Sequence, residues 1–376
     1  MLTFPFERDF LEGLKYQTPF FLFSKMKIVE KFDEFKKFFP HADIHYALKA
    51  NAEPAVLETL LGAGSGFEAA SVYELNMLKE AKVPPEKIIY GTSIKPASHI
   101  REFFDYGVTR FAFDSANELE KIAACAPGSK VYVRVIVSDA GSVFKFSQKF
   151  GTDKENAVLL LQKAKELGLQ PYGISFHVGS QASNPLAWAN AIKGLSKVFE
   201  QLKESGIEIE VLNLGGGYPC MYDSMETELS LKEIAKNTLE QYKKLPYQPK
   251  LILEPGRGLI AQTGVLVASV IGRVERKGGT WLFLDAGVYN ALFEAMAYQG
   301  STRYKVSSLR SSYDCGEMLF SLAGPTGDSP DIITQEALLP QDMEVGDKLI
   351  FKDVGAYSLV ASSRFNGFPK PDVYFI

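Results

Sequence analysis

The sequence has few of the residues that build disulfide frameworks and metal centres. Only three cysteines occur among 376 residues, at Cys125, Cys220 and Cys315, and they form no CxxC pair and no metal-ligand spacing. Cysteines so far apart argue against a disulfide scaffold and suit a reducing compartment. No metal site is expected.

Long hydrophobic runs are also missing. No apolar stretch approaches the roughly 20 residues that cross a bilayer. The first ten residues, MLTFPFERDF, contain acids and no long apolar core, which is not typical of a signal or transit peptide. With a net charge of −4 and 23% charged residues, the chain shows no bias towards nucleic acid or an anionic membrane. We therefore expect a cytoplasmic protein with neither of these partners.

The middle of the chain alternates short β-rich runs with amphipathic helical stretches, several of which finish in Gly. The β-rich runs are, in order, IHYALKA, GFEAAS, IIYGTS, RFAFDS, VYVRVIV, GISFHVG, VLNLGGG and LILEPGR. Eight such runs between about residues 44 and 258 predict a parallel (β/α)8 barrel. A doubly wound open sheet is the alternative. It is less favoured because no GxGxxG motif opens the first helix and because the runs number eight.

After about residue 262 the pattern changes to strand-like runs joined by Gly/Pro turns, as in GVLVASVIGRV, GTWLFLDAG and DKLIFKDVGAYSLVAS. This texture predicts a second, mostly antiparallel β-domain. The early run TPFFLFS needs a sheet to complete and is assigned to the same domain. The predicted organisation is a barrel over 26–262 and a β-domain formed by 1–25 and 263–376, with no internal repeat and no low-complexity linker.

Polar residues follow most of the barrel strands, and a barrel of this kind carries its chemistry at the carboxyl ends of its strands. Such a set needs mutual pairing or a polyvalent ligand. The residues are Lys49, Glu68, Ser93, Asp114, Arg134, His177, the glycines Gly215 to Gly217, Glu254 and Arg257.

Lys49 ends the buried-looking run in IHYALKAN. It either snorkels to water or holds a ligand covalently. The glycines of LNLGGGYP either make a tight turn or let backbone N–H groups approach a phosphate, with Arg257 of EPGRG as a nearby cation. His177, in SFHVGSQ, is either a core residue or a ligand-facing one beside Ser180. A strand-end lysine, a phosphate site and a carboxylate such as Glu254 together match the requirements of pyridoxal phosphate.

The motifs HYALKAN, FEAAS, ISFHVGSQ, LNLGGGYP, EPGR, GPTGDSPD and GAYSLVASSRFNGF resemble the fold-type III pyridoxal-phosphate decarboxylases, and within them the ornithine decarboxylase group. The resemblance covers nearly the whole chain, in order. It implies a barrel plus β-domain, pyridoxal 5'-phosphate as cofactor, and a head-to-tail homodimer with two shared active sites.

The resemblance also implies roles for individual residues. Lys49 would form the Schiff base, His177 would stack on the cofactor ring, and Glu254 would pair with the pyridine nitrogen. Glu68, Glu74 and Arg134 match positions that line the cofactor and Schiff base. The remaining cofactor contacts, most of them to the phosphate, would be Ser180, Gly216, Gly217, Gly256, Arg257 and Tyr357.

The partner subunit would supply Asp328 for the distal ammonium of a diamino acid and Phe365 for the pocket wall. An intersubunit ion pair would join Lys149 and Asp331. The chain departs from the family where GPTGDSPD places Gly327 instead of a catalytic cysteine. Cys315, twelve residues earlier on a different run, is not an evident substitute.

A second departure concerns the family's other partner-supplied substrate acid, which is not clear near GVYNALFEAMAYQG. Glu294 is the candidate stand-in. Gly327 itself has three interpretations: another group does the cysteine's work, the space admits a bulkier substrate or a different stereochemical course, or catalysis is lost. The first two are favoured because every cofactor position is retained.

The resulting expectation is an amino-acid decarboxylase acting on a basic or diamino substrate, ornithine or lysine first. Alternatives within the fold are decarboxylation of a larger conjugate, diaminopimelate or carboxynorspermidine, for which Arg310 in SLRSS is a candidate carboxylate partner, and an alanine-racemase-like activity. A glutamate rather than an arginine in EPGR disfavours the racemase. A non-catalytic pyridoxal-phosphate-binding or regulatory homologue, and a cofactor-free lysine aldolase, complete the alternatives.

Overall fold

The computed structural model describes residues 6–222, 229–297, 302–310 and 315–376. Two compact units divide the chain. The barrel unit comprises Val29–Pro219 and Leu229–Leu259, and the sheet unit comprises Met1–Ile28, Cys220–Glu228 and Ile260–Ile376. The boundaries at 25/26 and 262/263 remain a prediction.

Strands occur in both units, and those of the described residues are numbered in chain order. They are β1 (Phe20–Phe23), β2 (Asp43–Ala47), β3 (Gly66–Ala69), β4 (Ile88–Tyr90), β5 (Arg110–Phe113), β6 (Lys130–Arg134), β7 (Ser142–Phe144), β8 (Gln170–Ser175), β9 (Ser180–Ala182), β10 (Val211–Asn213), β11 (Lys250–Leu253), β12 (Gly264–Arg276), β13 (Gly279–Leu284), β14 (Val306–Ser308), β15 (Glu317–Ala323), β16 (Ile332–Pro340), β17 (Lys348–Phe351) and β18 (Asp372–Phe375).

The helices are α1 (Arg8–Gly13), α2 (Lys25–Phe38), α3 (Pro54–Gly62), α4 (Val72–Glu80), α5 (Ala97–Tyr106), α6 (Ala116–Cys125), α7 (Lys154–Glu166), α8 (Ala187–Glu204), α9 (Leu231–Tyr242), α10 (Arg257–Ile260) and α11 (Phe293–Met296). Short 3-10 turns lie at Leu48–Ala50, Pro85–Lys87, Ala261–Thr263, Leu359–Ala361 and Phe365–Gly367.

The barrel unit is a closed, all-parallel barrel of β2, β3, β4, β5, β6, β8, β10 and β11. It closes where Ile252 of β11 pairs with Asp43 of β2. Each of the eight predicted runs overlaps one of these strands, so the (β/α)8 prediction is confirmed and the open sheet is wrong. The strands are short and mostly apolar because parallel strands of a barrel are buried on both faces.

Local sequence signals set the ends of the barrel helices. At the start of α4 the Ser71 hydroxyl accepts a hydrogen bond from the Glu74 N–H at 3.3 Å, and at the start of α7 Asp153 accepts one from Asn156 N–H at 2.7 Å. Gly107 ends α5 with φ +104°, a left-handed conformation that favours glycine. These caps define where α4 and α7 begin and where α5 ends.

The longest barrel helix is amphipathic rather than uniformly apolar. α8 buries Trp188, Ile192, Leu195 and Phe199 on one face, while its lysines and glutamates lie elsewhere on the helix. No helix in the described part of the chain combines the length and the apolarity needed to span a membrane.

The sheet unit is a mostly antiparallel sheet with the strand order β14-β17-β12-β13-β15-β16. β1 joins it through antiparallel pairing with β12 and parallel pairing with β18. A core cluster that includes Phe20, Leu22, Val265, Val267 and Ile350 holds β1 against the sheet. The early run TPFFLFS therefore completes this sheet, as its sequence indicated.

A buried ion cluster lies within the barrel unit, behind the loop that follows β4. The Lys95 ammonium lies 2.9 Å from Glu118 Oε1, and the Lys121 ammonium lies 2.6 Å from Glu118 Oε2. Lys95 and Glu118 are almost wholly inaccessible to solvent. Burial lowers the pKa of Lys95 to about 8, and the adjacent Glu118 carboxylate opposes that shift.

Replacing Glu118 by glutamine should lower the free energy of unfolding by about 3–5 kcal/mol, because the Lys95 ammonium then lacks its buried counter-charge. The matched control is Glu210→Gln, which breaks the solvent-exposed pair with Lys130 and should cost less than about 1 kcal/mol. Urea unfolding of the barrel unit within the full chain measures both values. Equal losses would contradict the assignment of a structural role to the buried cluster.

Candidate active site

A cavity of about 200 Å³ lies at the carboxyl ends of the barrel strands. Its polar lining includes residues from six different strand ends that the sequence had singled out: Lys49, Glu68, Ser93, Arg134, His177 and Glu254. The barrel brings these distant positions together because parallel strands all end on the same rim.

Lys49 lies on the 3-10 turn Leu48–Ala50, just beyond the end of β2 rather than on the strand itself. Leu48 and Ala50 are buried and hold the turn, while about half of the Lys49 side chain is exposed. Its ammonium lies 3.4 Å from the buried Glu68 carboxylate. This pairing holds the amine at the cavity while leaving it accessible.

Glu254 follows β11 and accepts a hydrogen bond from the Asn213 amide at 2.6 Å. Burial, followed by the nearby Glu68 charge, raises the pKa of Glu254 to about 7, and Lys49 and Arg134 act in the opposite direction. Its carboxyl group can therefore hold or release a proton near neutral pH.

Glu74 adds a third carboxyl group to this region. It accepts a hydrogen bond from the Ala70 N–H at 2.6 Å, close to the end of β3. Burial and the neighbouring Glu68 charge raise the pKa of Glu74 to about 7. Because the Glu68 charge raises the pKa of both Glu74 and Glu254, the three carboxyl groups form one electrostatic cluster.

The His177 ring is fixed on two sides. Its Nδ1 accepts a hydrogen bond from the Gly179 N–H at 3.0 Å, which assigns the proton to Nε2 of a neutral ring, and Phe146 packs edge-on with ring centroids 5.0 Å apart. Burial, then the charges of Arg134 and Lys49, lowers the pKa of His177 well below its usual range. The cavity therefore presents an uncharged imidazole.

The glycines after β10 form a cradle that a side chain would fill. A Cβ on Gly216 would lie 2.7 Å from the Glu254 carbonyl oxygen and 3.2 Å from His177 Nε2. A Cβ on Gly217, which has φ +102°, would clash with the Gly179 carbonyl oxygen. Only glycine permits this approach of the backbone, as phosphate binding by a βα loop requires.

Three further predicted cofactor contacts, Ser180, Gly256 and Arg257, follow from the same part of the barrel unit. The buried Ser180 pairs across β7 and β9 with Phe144, and the Arg257 guanidinium lies 5.2 Å above the Phe144 ring. Ala182, on the same strand as Ser180, donates its N–H to the Gly217 carbonyl at 3.1 Å. Gly256 accepts the Leu259 N–H at 3.1 Å at the entry to α10. The residues present therefore fit a phosphate-bearing cofactor with an aromatic ring.

The sheet unit holds the remaining predicted residues. The Tyr289 hydroxyl donates a short hydrogen bond to Asp328 Oδ2, and the Tyr289 ring stacks on Phe365 with centroids 4.4 Å apart. Asp328 and Phe365 are thus brought together by Tyr289, which the sequence analysis missed. Nothing in GVYN distinguishes this tyrosine from an ordinary turn residue, so the signal was absent.

The backbone at position 327 does not require glycine. A Cβ there would meet only Asn366 Nδ2, at 3.9 Å, and Gly327 is not among the residues with positive φ. It borders an open cavity of about 410 Å³ within the sheet unit. Cys315 lies 2.9 Å from the Asp342 carboxylate at an exposed site. The space beside Gly327 is therefore a local feature of this chain and not a requirement of its fold.

Other predicted positions have different surroundings. Glu294 is buried on α11, and residues 298–300, in the same predicted segment, lie outside the described residues. Tyr357 has φ +57°. Asp331 is buried and accepts hydrogen bonds from Val288 N–H, Thr326 N–H and the Thr326 hydroxyl, so its ion pair with Lys149 stays a prediction. Arg310 pairs with Asp342 at 2.5 Å.

The raised pKa values of Glu74 and Glu254 have a consequence for the cofactor-free protein. Both groups bind protons more tightly when folded, so their stabilising contribution is full below about pH 4.5 and is lost as the pH rises through 7. We expect Glu254→Gln, which can still accept the Asn213 hydrogen bond, to flatten the decline of Tm between about pH 5 and pH 8. The control Glu120→Gln, at an exposed carboxylate, should keep the wild-type slope; identical slopes for all three proteins would contradict the electrostatic cluster.

Comparison with known proteins agrees with this geometry. Residues 25–261 match the family model described as the pyridoxal binding domain of pyridoxal-dependent decarboxylases. The chain is 32% identical over 351 residues to the lysine/ornithine decarboxylase of Selenomonas ruminantium, covering 93% of this chain and 88% of that protein.

Solved structures of similar proteins share the whole fold. The lysine/ornithine decarboxylase of Vibrio vulnificus, complexed with putrescine, superposes with a TM-score of 0.90 at 31% identity and covers 98% of both chains. The arginine decarboxylase of the Paramecium bursaria Chlorella virus, bound to agmatine, gives a TM-score of 0.90 at 29% identity, again over 98% of both chains. The chain therefore belongs to the fold-type III pyridoxal-phosphate-dependent decarboxylases, a family of carboxy-lyases, in the ornithine/lysine decarboxylase group.

Proposed function

We propose that the protein decarboxylates a basic amino acid, ornithine or lysine first, to the corresponding polyamine-type amine. The observation that carries the substrate class is the Asp328 carboxylate, which Tyr289 fixes beside the Phe365 ring. A carboxylate next to an aromatic wall suits a distal ammonium group on an aliphatic chain. The relatives named above, and the diamine or agmatine bound in their structures, support the same class.

In the barrel unit, Lys49 is the proposed attachment point of the cofactor. Among the described residues, its half-exposed amine is the one lysine amine in the cavity lining, and Glu68 holds it in place. The glycine cradle, Ser180, Gly256 and Arg257 are the proposed phosphate site, with Tyr357 as a further contact. When bound, pyridoxal phosphate supplies an electron sink for the charge left on the substrate Cα as CO2 departs.

Proton positions follow from the electrostatics of the cavity. Glu254, with a pKa of about 7, can hold a proton and share it with a basic ring nitrogen. His177 stays neutral, so it can lie against an aromatic ring without adding positive charge. Arg134 keeps a cation in the same lining. These residues thereby favour electron withdrawal from the substrate.

We further propose a homodimer in which each active site combines the barrel unit of one subunit with Asp328 and Phe365 of the other. The sheet unit supports this with apolar side chains at its surface. Leu319 and Leu338 face one another across β15 and β16 and are 57% and 55% exposed. This exposed apolar pair supports the proposal that a second subunit packs against the sheet unit.

Gly327 affects the last chemical step, the reprotonation of the substrate Cα. With no cysteine thiol there, reprotonation of the substrate Cα must use water or a different side chain. The open cavity beside Gly327 also leaves room for a bulkier substrate. Arg310 is engaged by Asp342 within its own unit, which favours a basic amino acid over one with a distal carboxylate.

Incubation with pyridoxal phosphate and a panel of L- and D-ornithine, lysine, arginine and diaminopimelate should give one clean amine by mass spectrometry. Lys49→Ala should abolish its formation, whereas Lys163→Ala, at an exposed ion pair, should leave it unchanged. An aldehyde product would show that Cα is not reprotonated. No product from any basic amino acid, with cofactor still bound, would contradict the proposed substrate class.

The shared site has its own test. Lys49→Ala and Asp328→Asn chains should each form inactive dimers, and co-assembly should restore about a quarter of wild-type activity, because half of the dimers are mixed and each carries one intact site. Co-assembly of Lys49→Ala with Glu254→Ala, both in the barrel unit, is the control and should restore none. Absence of recovery in the first mixture, with mixed dimers demonstrated, would contradict the shared site.

A further inference from the structure

The loop after β4 places a buried serine in the wall of the active-site cavity. Ser93 is fully buried and lines the cavity together with Lys49, Glu68 and His177. Within the described part of the chain, its Oγ has no hydrogen-bond partner. Buried hydroxyl groups are normally paired, so an unpaired one at a ligand cavity needs an explanation.

The fold holds this loop in place from behind. The Lys95 ammonium binds the carbonyl oxygens of Thr92 at 2.9 Å, Ser93 at 3.3 Å and Ala112 at 2.6 Å. Glu118 accepts a hydrogen bond from the Lys95 N–H at 3.2 Å.

The front of the same loop is equally constrained. Gly91 lies so close to Glu68 that a Cβ there would be 2.5 Å from Glu68 Oε1. The loop that carries Ser93 is therefore held by the ion cluster on one side and by the cavity lining on the other.

We propose that Ser93 is a further cofactor-binding residue, whose hydroxyl gains its hydrogen-bond partner from the ligand in this cavity, with the Lys95–Glu118 cluster as its positioning support. The inference rests on the proposed function, which assigns the cavity to pyridoxal phosphate. The proposal assigns two opposed effects to the Ser93 hydroxyl. The hydroxyl costs stability in the cofactor-free protein and contributes affinity when the cofactor is bound.

The chain offers a matched control in Ser129. It is also buried, and its Oγ too has no partner among the described residues. Ser129 directly precedes β6, at the opposite end of that strand from the cavity. The two serines share burial and an unpaired hydroxyl and differ in their place relative to the cavity.

The experiment compares Ser93→Ala, Ser129→Ala and wild type as full-length protein. Both variants should raise the Tm of the cofactor-free protein by about 1–3 °C, at fixed scan rate and concentration, because each loses an unpaired buried hydroxyl. Only Ser93→Ala should weaken the binding of pyridoxal phosphate, by about 10-fold in Kd measured by absorbance titration. Ser129→Ala should bind with wild-type affinity.

An unchanged Kd for Ser93→Ala would overturn the inference, as would a fall in its cofactor-free Tm, which would reveal an internal partner for the hydroxyl. An equal loss of affinity in Ser129→Ala would overturn it as well, since the effect would not depend on the cavity. Failure of the proposed function looks different. In that event Lys49→Ala would bind pyridoxal phosphate with the same affinity and spectrum as wild type.

Discussion

The arrangement depends on one lysine amine set among buried carboxyl groups at the rim of a closed barrel. Lys49 pairs with Glu68, and Glu68 in turn helps to keep protons on Glu74 and Glu254 near neutral pH. Carboxyl groups this close cannot all ionise without compensation. The small cavity therefore contains both an amine and carboxyl groups that can exchange protons near neutral pH. Chemistry on an amino-acid substrate requires both.

The wall of this cavity is held by a second ion cluster that never reaches the cavity itself. Lys95, Glu118 and Lys121 bind the loop after β4 from behind, and Gly91 presses that loop against Glu68. Burying such charges is expensive unless each is paired. Here the buried charges keep the loop after β4 rigid, and a rigid loop holds the cavity residues at fixed positions. A loop whose carbonyl groups had no such partners would be less well fixed.

The sequence predicted the barrel well because alternating strands and helices leave a strong periodic signal, and each predicted strand is found. It missed the three-residue strands β7, β9 and β14, which are too short to show a period of two, and also α2 and β16. Lys49 was placed at a strand end and lies on the following turn. Tyr289 and the unpaired Ser93 hydroxyl could not be foreseen, because both depend on contacts between residues distant in the chain.

The central claim is that Lys49 carries the cofactor, and borohydride reduction followed by peptide mass spectrometry tests it most directly. Reduction of the protein with bound pyridoxal phosphate should fix one phosphopyridoxyl group per chain, on the peptide that contains IHYALKAN and at Lys49. The cavity lining predicts this site because, among the described residues, it offers no other lysine amine. A label on a different lysine, or none on a protein that still binds the cofactor, would contradict the account.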